Sequence, residues 1–166
     1  MPAAQTYNPI STTTLGSSQS SVTFNSFSGY TDLVLVGTGT NSTATHFNLT
    51  FNSDTGTNYS YTLVSGAGSG TESARGTNTS AIRMNWNGGW GSTDGDRGNL
   101  IINIQNYANT SAFKTVVYRN NRPSSATEAF VGLWRSTSAI TSLTLTNNTG
   151  TMSAGTTWTL YGIKAA

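Results

Sequence analysis

The chain has 166 residues, a net charge of +2, charged residues at only 8% and no cysteine. That is one domain's worth of chain, long enough to bury a core. It leaves no disulfide or thiol chemistry, and its eight basic residues are scattered along the sequence, which argues against the clustered positive footprint that nucleic acid requires. Ser, Thr, Asn and Gly make up about half of the residues, a balance that favours strands and turns over helices. Four Trp, seven Tyr and six Phe at so low a net charge mark a folded chain, not a disordered one.

The opening residues, MPAAQTYNPI, have no charged segment followed by an apolar one, so no secretory signal is expected. No apolar run approaches the length of a membrane-spanning helix. Residues 7–15 read as an edge strand, because Pro9 lacks a backbone donor, and residues 1–8 as a short lead-in. Residues 21–27 place Val22 and Phe24 on one face. Leu33, Val34, Leu35 and Val36 are apolar on both faces, which fits a central strand or a subunit contact.

Residues 46–52 alternate most cleanly, with Phe47, Leu49 and Phe51 on one side and His46, Asn48, Thr50 and Asn52 on the other. A turn-rich stretch follows, then Tyr59, Tyr61 and Leu63 align, so residues 45–65 are predicted as a β-hairpin. Residues 66–79 read as a long polar loop. Residues 81–86 read as a strand with Ile82, Met84 and Trp86 aligned, and residues 87–98 as a second long loop. Residues 99–106 turn Leu100, Ile102 and Ile104 inward; residues 113–119 form a strand whose facing the pattern leaves open.

Three runs close the chain. Phe130 and Trp134 flank Gly132 on one face of the first, opposite Val131 and Leu133; Leu143 and Leu145 mark the second; Trp158 and Leu160 mark the third, opposite Tyr161 and Ile163. This block is expected to form one half of a sandwich against which the earlier strands pack. Ile140 has the wrong parity for Leu143, which calls for a bulge or a later strand start. With turn signals roughly every eight to twelve residues, the whole is predicted to be all-β and antiparallel, about ten strands in a β-sandwich or barrel spanning residues 1–166 as a single domain.

Three segments, FNSDTGTNYSY (51–61), FVGLWRSTSAITSLTL (130–145) and GTTWTLYGI (155–163), resemble small virion structural proteins of tailed bacteriophages; the run from Ser21 to Val36, with TDLVLVG, is similar to the same group. The resemblance covers most of the chain and is weakest over 66–98. It implies a jelly-roll-like β-sandwich on the particle, as a head decoration (cement) protein or as a tail or adsorption component, commonly a trimer.

Groups for chemistry are sparse. His46 is the single histidine and sits on a polar face, with nothing in the sequence to set it beside a nucleophile and a carboxylate. Asp94 and Asp96, in DGDRGN, are weak candidates for a cation site, since the spaced ligands and closing Glu of a calcium loop are missing. Asp54 reads as a turn residue bonding its own backbone. A glycosidase pair drawn from Asp32, Asp54, Glu72, Asp94, Asp96 and Glu128 would be coincidence. Trp90, among glycines, is either an exposed plug or sugar platform or a side chain folded back on its own core. The candidate interaction surface comprises Trp86, Trp90, Tyr107 and Arg75.

The expectation is therefore a non-enzymatic structural component of a tailed-phage virion, a capsid decoration (cement) protein that binds and stabilises the shell. No cofactor, nucleic acid or membrane is expected. Its partners would be the major capsid protein or other virion proteins, with a homotrimer as its own assembly, and its place the virion assembled in the host cytoplasm. The alternative is a tail-fibre or adhesin domain that binds host-surface glycans.

Overall fold

The computed structural model describes residues 6–68, 70–87, 90–91 and 95–164. These form twelve strands and no helix: β1 (Tyr7–Thr14), β2 (Ser21–Asn25), β3 (Asp32–Gly39), β4 (Phe47–Phe51), β5 (Tyr59–Ala67), β6 (Gly70–Thr79), β7 (Ile82–Arg83), β8 (Gly98–Ile104), β9 (Lys114–Arg122), β10 (Ala126–Trp134), β11 (Ser142–Asn147) and β12 (Thr157–Ile163). One sheet has eight strands in the order β1-β12-β3-β8-β9-β10-β5-β6, the other four in the order β2-β11-β4-β7. The pairs β1 with β12, β2 with β11, β3 with β8 and β4 with β7 nest inside one another. That is the folded-over hairpin of a jelly roll. The remaining strands, β9, β10, β5 and β6, extend one side of the wide sheet beyond it.

The core lies between the sheets. Leu33, Leu35, Leu100, Ile102, Phe130, Trp158 and Leu160 of the wide sheet meet Val22, Phe24, Phe47, Leu49, Phe51, Leu143 and Leu145 of the narrow one. Each set keeps a single parity along its strand, as a two-residue repeat requires. Phe47 packs edge-on to Trp90 at 4.9 Å and to Trp158 at 5.8 Å, and the two indoles stack at 5.1 Å. Gly37 makes room for this cluster, since a Cβ there would stand 2.1 Å from the Trp158 ring.

Several sequence expectations hold. β1 lies at an edge and bulges after Pro9. β3 is central, with Leu33 and Leu35 in the core and Val34 buried outside it. β11 starts at Ser142, which removes the Ile140 conflict.

Other expectations change. Residues 45–65 are not a hairpin: β4 pairs with β11 and β7, while β5 pairs with β10 and β6 in the other sheet. The 52–58 connection arches over the end of the sandwich, helped by positive φ at Asn52 and Ser53. The Tyr59 hydroxyl ties it down, accepting from Phe51 N at 3.1 Å. The supposed loop at 66–79 is largely strand β6, hairpin partner of β5. It has no large apolar residue because it is an edge strand held by backbone bonds. The strand expected over 81–86 shrinks to Ile82–Arg83, because Asn85 Oδ1 takes the Phe47 N–H and breaks the ladder. The closing block does not form one half of the sandwich: β10 and β12 join the wide sheet and β11 the narrow one.

Candidate interaction surface

Strand β9 settles the facing that its sequence left open. Lys114, Val116, Tyr118 and Asn120 point inward, and Thr115, Val117 and Arg119 outward. Antiparallel pairing then carries the outward parity across the sheet. Val36, Ile101, Arg119, Ala129 and Val64 stand side by side on β3, β8, β9, β10 and β5. The next row holds Val34, Asn103, Val117, Val131, Thr62 and Arg75. Neighbouring strands lie about 4.8 Å apart, so the apolar zone spans roughly 20 Å. Val64, Val131 and Val117 are 60%, 53% and 48% exposed. With Ile101, Ala129 and Arg119 they line a shallow groove of about 660 Å³. Exposed apolar area this contiguous marks an interaction site more often than an ordinary surface.

The charge of the face is one-sided. Arg119 is exposed in the middle of the first row and makes no hydrogen bond or ion pair among the described residues. Arg75 lies one row over, at β6. From β8 to β6 the outward positions hold no carboxylate.

The residues singled out from sequence scatter. Arg75 belongs to this face. Trp86 is half-buried against the core under the Arg83 guanidinium, which sits 4.3 Å from its ring. Trp90 and Tyr107 are 2% and 3% exposed and so are not surface, a correction of the expected interaction set. Trp90 folds back onto Phe47 and Trp158, and Tyr107 packs on Phe27 at 5.6 Å. Glycine lets this happen: Gly91 and Gly98 approach so closely that a Cβ on either would strike backbone within 2.6 Å. Asp94 lies outside the described residues. Asp96 accepts from Arg122 Nε at 2.9 Å and from the Ser124 hydroxyl. Arg119 and Arg122 both lie on β9.

Glu128, 1% exposed, accepts from the backbone N–H of Trp86 at 2.8 Å and of Asn87 at 2.6 Å. It fastens the 84–87 segment beneath the overhanging part of the wide sheet. The Asn87 side chain in turn donates to Glu72, so these two carboxylates are brought near each other. Asp54 accepts from Trp134 Nε1 at 2.7 Å, which with Asn58 holds its carboxyl below the usual range. Burial pushes the Tyr59 phenol up to about 12 and lowers the Lys114 amine, which donates to the Ala112 and Thr137 carbonyls. Partial burial and then Arg83 lower the His46 imidazole, whose ring makes no hydrogen bond among the described residues. Among those residues no group of three or more His, Cys, Asp or Glu is placed to hold a metal ion.

No family model matches the chain, and no curated protein matches it. Among solved structures it is similar to part of an exo-inulinase from Aspergillus awamori, with 14% identity and a TM-score of 0.48, over 95% of this chain and 29% of that one. A likeness at that level carries no inference about what this chain does.

Proposed function

We propose that this chain is a structural component of a tailed-bacteriophage virion, a capsid decoration (cement) protein that docks through the outer face of its wide sheet. The observation that carries the docking is that face: β-branched apolar residues stand exposed where a free sheet would face water with Thr and Ser. The virion setting rests on the sequence resemblance over 21–36, 51–61, 130–145 and 155–163. The work is binding, not turnover. Hydrogen-bonded strands fix the apolar rows, and covering them against the major capsid protein removes them from water, with stable contacts of this kind burying on the order of 1,600 Å². Three copies around a threefold axis would bridge neighbouring capsomers. The alternative reading, a glycan-binding adhesin, loses its leading residue, because Trp90 is buried.

The test is a map of purified particles. The expected result is this protein on the shell with the Val64–Val117–Val131 face turned toward the capsid. Absence of the protein from mature virions overturns the proposal.

A further inference from the structure

We infer that the occupant of the wide sheet's outer face is a protein surface with an apolar ridge that carries a carboxylate, which Arg119 receives. The inference rests on the reading of this face as a docking surface, and it adds the chemistry of the partner. Arg119 stands between Ile101 and Ala129 in its row, two residues from Val117 along β9. Its guanidinium is exposed and has no partner among the described residues. Any apolar surface that covered these rows would also remove that cation from water. Burying an unpaired guanidinium opposes binding. A carboxylate seated opposite it reverses the sign, because the planar fork accepts a carboxylate through two parallel hydrogen bonds.

Among the described residues no such carboxylate stands on this face. Asp54, Glu72, Asp96 and Glu128 each accept a hydrogen bond from elsewhere in the fold: from Trp134, Asn87, Arg122 and the Trp86 backbone. Asp32, at the start of β3, accepts from Asn106 N. A second copy seated face to face would set a face that carries Arg119 and Arg75 against the same face, which holds no carboxylate on β8 to β6 to receive either arginine. Charge complementarity therefore points to a different protein. It also makes the arginine a selector, since a partner of equal apolarity without the acid is penalised.

The experiment measures binding of the purified chain to particles grown without it, over a series of salt concentrations, with circular dichroism confirming that each variant is folded. Val131→Asp should abolish binding. Arg119→Gln should weaken it about tenfold and flatten its salt dependence, Arg119→Glu should weaken it further, and Arg119→Lys should retain part. If Val131→Asp binds like the wild type, the docking reading falls and this inference with it. If Val131→Asp is lost while Arg119→Gln and Arg119→Glu bind like the wild type, the carboxylate alone is overturned and the docking face stands. If the free chain self-associates in sedimentation and Val131→Asp makes it monomeric, the occupant is a second copy and the inference is wrong.

Discussion

The two outer faces of the sandwich obey the same backbone rules and are dressed differently. On β2, β4 and β11 of the narrow sheet the outward residues are Ser21, Thr23 and Asn25, Asn48 and Thr50, and Ser142, Thr144 and Thr146. Thr23 and Thr144 hydrogen-bond across the strands at 2.9 Å. The β1–β12 end of the wide sheet is similar, with Thr12–Thr159 and Thr14–Thr157 pairs. From β3 to β5 the pattern changes to Val36, Ile101, Val117, Val131 and Val64. Thr and Val have nearly the same shape, and both suit a pleated surface through branching at Cβ. Strand formation therefore does not call for valine there. In a chain so rich in threonine, valine at these positions is what the proposed docking face would require.

The largest effect should come from beneath the apolar face. The narrow sheet does not reach under all eight strands, and Glu128 holds the 84–87 segment there instead. Glu128→Ala leaves the Trp86 and Asn87 N–H groups without an acceptor and should cost about 3 kcal/mol in urea unfolding. A loss below about 1 kcal/mol would mean the overhang is held by other contacts. Next comes the direct exchange of dress. The triple variant Val64→Thr, Val117→Thr, Val131→Thr should unfold within about 1 kcal/mol of the wild type. It should dock to particles at least about tenfold more weakly. Equal docking would erase the distinction between the faces. The same three-site exchange in reverse, Thr23→Val, Thr50→Val and Thr144→Val, should leave docking unchanged.

A smaller effect follows from His46, on the polar side just before β4. Its folded pKa lies below the ordinary histidine value of about 6.5, so the unfolded chain binds its proton first. Stability should be level above that value and fall as pH drops through the folded pKa. His46→Gln should flatten this step in urea midpoints taken from pH 8 to pH 5, and a midpoint with the same pH profile in the variant would show that other groups set it. The smallest effect is Thr144→Val alone. It removes the exposed bond to Thr23 and should shift unfolding by less than about 1 kcal/mol.

Much of this was legible along the chain. The inward sets of β4, β8, β10 and β12 follow from alternation, and so does the opposite parity of Val131 and Leu133. Leu33 to Val36 already showed apolar residues on both faces, as Val131 and Leu133 opposite Phe130 and Trp134 do, and these are the local signs of an apolar outer surface. β6 was not legible, because an edge strand of Thr, Ser and Gly has the composition of a loop. For Trp90 the sequence left an exposed contact and fold-back onto the core both open, because glycine neighbours announce an open loop and equally allow the close backbone approach that buries an indole.

Alternation belongs to a single strand, so the sequence determined which side chains go in and which go out, and with them the all-β class. Which strands lie beside one another is decided between segments far apart in the chain. Only the folded sheet sends β4 and β5 to different layers, and only cross-strand register sets Val64, Val117 and Val131 around Arg119. A pattern with period two fixes the side a residue faces but not its neighbour on that side, and a contiguous apolar surface is made of neighbours.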